Sequence, residues 1–296
     1  MIDGNEAVNG CIPFAAFLWS TSKDYGGRLM KLSELFKFKD ERTKVLHLTM
    51  IAFFISFVTW FNMAPLATTM METTDWLSSE HLAVLAILNV ALTIPARIII
   101  GSLLDRFGPR IVYSGLLITM SIPGFIFAFG SDFAQLAISR LVLSSIGAGF
   151  VIGIRMVSEW FPPKSVGFAE GFYAGWGNFG SAFAAMTLPY IALGIIGGEN
   201  GWRYAVAATA FMCLIYGIIY YKSVRDTPEG KVYFRPKKSA AMEVSSWGDL
   251  VQLILWTIPL VGALGILVWR FGKLDMMPGP AVTAAYMALF TVLIYQ

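Results

Sequence analysis

Six predominantly apolar stretches, each near the length needed to cross a lipid bilayer, constrain this chain more than any other feature. They run from Val45 to Met70, Leu82 to Leu104, Ile111 to Phe129, Phe133 to Val157, Phe172 to Ile196 and Tyr204 to Tyr221. A hydrocarbon core about 30 Å thick takes ~20 helical residues at ~1.5 Å each. No water is available inside it to satisfy peptide groups, so every stretch is predicted as an α-helix. Two further apolar runs, Leu250 to Trp269 and Val282 to Tyr295, follow a polar interval. Composition agrees: 56% of the 296 residues are hydrophobic and 14% charged, whereas soluble domains carry about 25% charged residues. The expected class is an all-α membrane protein.

Charge sorts by side. Lys23, Arg28, Lys31, Lys37, Lys39, Arg42 and Lys44 precede the first span, Arg106 and Arg110 lie between the second and third, and Lys164 lies between the fourth and fifth. Lys222, Arg225, Lys231, Arg235, Lys237 and Lys238 follow the sixth, while the alternate loops carry Glu72, Asp75, Glu80, Asp132 and Glu199, with Arg203 the one basic exception. The positive-inside rule then places the N-terminus in the cytoplasm. The expected organisation is a cytoplasmic tail 1–44, a six-helix bundle 45–222, a cytoplasmic loop 223–249 and a hairpin 250–296 turning at "RFGKLDMMPGP". The acidic start "MIDGNEAVNG" and the short apolar patch "CIPFAAFLW" do not form a cleaved signal peptide. Cys11 and Cys213, in a tail and a span, read as free thiols. The chain ends at Gln296 straight after an apolar run, so a comparable second half is expected beyond it.

Several functions are disfavoured. The net charge of +3 is small and split by side, and nothing resembles a nucleic-acid module. His47 and His81 sit at helix margins, with no H-E-x-x-H and no paired intramembrane carboxylate, so neither an enzyme, a metal site nor a cofactor is expected.

Arg97 stands apart. It lies eight residues before Asp105, roughly 12 Å from the cytoplasmic end at ~1.5 Å per residue, too deep for easy snorkelling. An intramembrane guanidinium costs about 2.5 to 3.5 kcal/mol and must face the bundle interior or a wet cavity. No helical carboxylate lies at matching depth, since Glu159 and Glu170 are both near the cytoplasmic face. Either Arg97 bonds carbonyls or an absent partner, or a soluble anion supplies the missing charge. Pro95 is expected to kink the helix there.

The turn after Arg97 reads Gly101, Ser102, Leu103, Leu104, Asp105, Arg106, Phe107, Gly108, Pro109, Arg110. It resembles the G-x-x-x-D-R-x-G-R-R element of the major facilitator superfamily, with Pro109 as a departure. Gly101 is expected to permit close helix approach, Asp105 to pair with a helix end or an arginine, and Gly108 to allow a tight turn. Arg155 precedes Glu159 by four residues, which predicts an i,i+4 pair at the cytoplasmic margin with at most a gating role. Arg140, ahead of Gly147, Gly149 and Gly153, reads equally as an interfacial anchor or as the superfamily's arginine-then-glycine element.

The fifth span is the most specific. In "AGWGNFG", Ala174 to Gly180, glycines crowd an aromatic helix and Asn178 places an amide in apolar surroundings. With "EWFPP" and "GAGF", it is similar to the nitrate/nitrite porter family of the major facilitator superfamily. That resemblance implies an N-terminal six-helix bundle, to which the hairpin is an addition. It also implies a midplane anion site in which Arg97 is the first substrate arginine, Asn178 the motif asparagine and Phe150 the aromatic of the fourth helix. Gly175 and Gly177 are expected to leave room for the ligand. The second arginine belongs to the other half and has no counterpart here. The implied function is alternating-access transport of nitrate and nitrite across the inner membrane, with proton-coupled uptake for assimilation. The alternatives are nitrate/nitrite antiport, an organic-anion facilitator and a non-transporting scaffold.

Overall fold

The computed structural model describes residues 39–233, 247–273 and 277–295. Most of the predicted tail 1–44, Cys11 with it, and residues 234–246 of the predicted loop lie outside the described residues. The chain divides into two compact units, Met1–Arg235 and Pro236–Gln296.

Among the described residues, six helical segments are long and apolar enough to cross a membrane. They are span 1, Glu41–Glu72; span 2, Ser79–Phe107; span 3, Pro109–Phe129; span 4, Phe133–Trp160; span 5, Pro163–Ile196; and span 6, Gly201–Ser223. Each covers its predicted stretch and extends it. The largest extension is in span 5, whose helix starts at Pro163 rather than Phe172. Proline suits a first helical turn, where its missing N–H is not needed, and the polar residues that follow escape a search for apolar runs.

Spans 1, 2 and 4 are interrupted within the bundle, and the interruptions are stitched together; span 5 only widens into a π-helical end at Tyr190–Ile196. Span 1 leaves α-helix after Trp60, passes a 3₁₀ turn Ala64–Leu66 containing Pro65, and resumes at Ala67–Glu72. Span 2 breaks at Leu92, between Ser79–Ala91 and Thr93–Phe107. The cause is Pro95, whose ring clashes with the carbonyl four residues back, that of Ala91. Span 4 tightens into 3₁₀ turns at Ser144–Ala148. The Leu92 amide donates to Ser144 Oγ (3.1 Å), and the Thr93 hydroxyl donates to the Ser144 carbonyl (3.3 Å). Backbone groups freed inside the membrane thus regain partners.

Span 1 lies against spans 4, 5 and 6 in the core, with Ala52 and Phe53 wholly buried. Tyr113, Tyr173 and Tyr220 are buried beside it. Tyr173 donates to the Gly149 carbonyl (3.0 Å) and Tyr220 pairs with the Thr49 hydroxyl (3.0 Å), so their polar tips are satisfied. Arg203 donates to the carbonyls of Ala128 and Gly130 (3.0 and 2.7 Å), closing the open end of span 3. In the second unit, helices Trp247–Lys273 and Gly279–Tyr295 pack on each other, and Tyr286 donates to the Gly265 carbonyl (3.2 Å).

Candidate functional site

Arg97 sits on the second helix of span 2, one turn beyond the break, on the exposed surface of the bundle. Among the described residues it makes no ion pair and no hydrogen bond. Its guanidinium lies over the ring of Phe150 in span 4, 5.6 Å from the centroid. Phe150 stands 5.8 Å from Phe53 of span 1, and Phe53 stacks on Tyr173 of span 5 at 4.7 Å. Three spans therefore build an aromatic platform under one cation. A cation–π contact contributes ~0.5 to 2 kcal/mol, less than the ~2.5 to 3.5 kcal/mol of placing the charge there. The rings aim the guanidinium without neutralising it.

Span 5 presents its glycines to two sides. Gly171, Phe172, Gly175, Trp176 and Phe179 line an open cavity of about 430 Å³. A Cβ at Gly175 would meet nothing within 4 Å, leaving space there for a small ligand. Asn178 shares the exposed face, and its amide nitrogen donates to the Ala174 carbonyl (2.8 Å), which leaves a second N–H for another acceptor. Gly177 departs from its expected role. It is buried against the Phe53 ring, where any Cβ would collide with the aromatic carbons, so it serves the contact of spans 1 and 5 rather than the cavity. Arg97 and Asn178 are linked only indirectly, through Phe150, Phe53 and the backbone of Gly177.

The turn between spans 2 and 3 is held from an unexpected quarter. Gly108 has φ +84°, a conformation side chains other than glycine rarely adopt, and its α-carbon faces the Asp226 carboxylate. Asp226 accepts from the Arg110 amide (2.7 Å) at the start of span 3, and Arg110 Nε donates to the Tyr221 carbonyl (2.8 Å). Asp226 does the pairing expected of Asp105, which makes no ion pair among the described residues. Gly101 makes no close approach inside this bundle either, because a Cβ there would have no neighbour within 4 Å. Arg106 lies over the Phe107 ring.

Arg155 and Glu159 form an ion pair at 3.0 Å across one helical turn. Arg155 also donates to the Tyr233 hydroxyl (3.4 Å), which itself donates to the Leu104 carbonyl (3.0 Å), so the segment after span 6 ties spans 2 and 4. Burial raises the Tyr233 phenol above its ordinary pKa and keeps it a donor. Arg140 is not an interfacial anchor. It is fully buried and donates to Asn62 Oδ1 (2.9 Å) and to the Trp60 carbonyl (2.5 Å), the carbonyl freed where span 1 breaks. The partial negative charge of a helix C-terminus suits that cation.

The Major Facilitator Superfamily matches residues 49–295 of this sequence. The chain belongs to that superfamily. Two relatives of this chain are nitrate/nitrite transporters NrtP: that of Picosynechococcus sp. is 45% identical over 90% of the chain, and that of Nostoc punctiforme 50% identical over 81%. The chain spans about half the length of these relatives, 54% and 48% respectively. The probable nitrate/nitrite antiporter NarK1 of Thermus thermophilus is 28% identical, over 64% of the chain and 44% of its own length. Among solved structures, a bacterial homologue of the human lysosomal transporter Spinster, inward-facing and unoccupied, aligns with TM-score 0.55 at 19% identity, covering 84% of this chain and 59% of that one. That likeness is one of fold, with little shared sequence. Nothing in the sequence marks Phe53, Tyr173, Trp176 and Phe179 as site residues beyond the aromatic density of spans 1 and 5.

Proposed function

We propose that this chain is part of a multi-pass inner-membrane carrier that moves nitrate and nitrite by alternating access, with its N-terminus in the cytoplasm and residues outside this chain completing the site. The observation that carries the reading is Arg97, a deep guanidinium aimed by Phe150 and left without a carboxylate among the described residues. Both anions are small and planar, and a guanidinium can donate two parallel hydrogen bonds to two of their oxygens. Asn178 and the open space at Gly175 supply a further donor and room. The names of the NrtP relatives support the substrate class.

Inward proton-coupled uptake is the proposed mode; the resemblance to the antiporter of Thermus thermophilus supports exchange as the second. The test is labelled nitrate flux in proteoliposomes carrying the complete carrier. Nitrite should compete and bulky carboxylates should not; competition by the carboxylates alone would overturn the reading. Flux driven by an imposed proton gradient favours symport, and strict dependence on internal nitrite favours exchange.

A further inference from the structure

Span 2 has two flanks. Residues advance about 100° per step around a helix, so Arg97, Gly101 and Asp105 share one flank, while Ala96, Ile99 and Leu103 fall on the other. On this second flank, spans 2 and 3 border a cleft of about 440 Å³. Leu92, Ile99, Leu103 and Phe107 line one side, with Ile111 and Gly115 opposite. From Leu92 to Phe107 the cleft runs roughly 22 Å at ~1.5 Å per residue, much of one hydrocarbon core. Its lining is mostly apolar; of the two hydroxyl residues that also line it, Thr119 and Ser145, Thr119 spends its hydroxyl on the Gly115 carbonyl (2.7 Å). A helix of that length, ~10 to 12 Å wide, would fill on the order of 2,000 Å³. A volume of about 440 Å³ spread over that length suits a narrow extended apolar group such as an acyl chain.

One end carries a cation. Phe107 closes the cleft, and the exposed Arg106 lies over its ring, 5.3 Å from the centroid. Among the described residues Arg106 makes no ion pair and no hydrogen bond, whereas Arg110 beside it is engaged with Tyr221. We propose that this cleft binds one acyl chain of an anionic phospholipid, with the headgroup phosphate on Arg106. The apolar trough sets the lipid's position, and the Arg106 guanidinium at its end selects its charge. This site is separate from the flank that carries Arg97.

Native mass spectrometry of the purified chain, taken from micelles holding equal phosphatidylglycerol and phosphatidylcholine, tests it. The chain should retain phosphatidylglycerol about fivefold over phosphatidylcholine, the effect of one cation near an anionic surface. Arg106→Gln should bring that ratio to parity and Arg106→Lys should restore it. Gly115→Phe, whose Cβ would meet nothing within 4 Å and whose ring would occupy the cleft, should expel both lipids from it. Equal retention by the unsubstituted chain, or an Arg106→Gln preference unchanged from it, would overturn the proposal. So would cross-linking of Leu103→Cys to a protein segment instead of a lipid.

Discussion

The guanidinium of Arg97 rests 5.6 Å above the ring centroid of Phe150, on a neighbouring span, with no carboxylate paired to it among the described residues. A ring holds a cation in place while leaving both of its bidentate edges free, which a carboxylate would not do.

In the complete carrier, Arg97→Lys should remove more than about nine-tenths of nitrate flux, because an ammonium is a point charge that cannot offer two parallel donors. Insertion and yield should stay normal, since the side chain is exposed on this bundle. Near-wild-type flux in proteoliposomes would rule out Arg97 as an anion ligand.

Gly177 and Gly175 should behave oppositely. Gly177→Val drives a side chain into Phe53 and should destabilise the bundle by about 1 to 3 kcal/mol. Gly175→Ala enters open space within a helix and should hold or slightly raise the melting temperature while narrowing the cavity. A thermal-shift assay in detergent compares them; equal losses would contradict the two-sided arrangement of span 5.

Arg140→Met should be among the most damaging substitutions outside the proposed anion site. It leaves Asn62 Oδ1 and the Trp60 carbonyl buried without their donor, at about 1 to 3 kcal/mol each. The readout is thermal stability in detergent, and a melting temperature within a degree of the unsubstituted protein would refute the assignment.

Asp226→Ala should weaken the start of span 3 by about 1 kcal/mol, as loss of a helix cap does. Gly108→Ala should remain destabilising in that background, because φ +84° is strained for alanine with or without the carboxylate. Relief of the Gly108→Ala defect by Asp226→Ala would mean that steric contact, not backbone conformation, demands glycine here.

What the amino-acid sequence determined alone was the placement of the six membrane-length helices found among the described residues, the break near Pro95 and the Arg155–Glu159 pair. All three depend on neighbours along one chain: a run of apolar residues, a missing N–H, a four-residue spacing. Only the tertiary structure decided which side of span 5 each glycine serves, since Gly175 and Gly177 are two residues apart and differ only in whether Phe53 is opposite. It likewise buried Arg140 on a carbonyl 80 positions away and brought Asp226 to Arg110 across 116. Such partners are chosen by where helices break and which faces they turn inward, and the periodicity of a single helix carries no record of its neighbour.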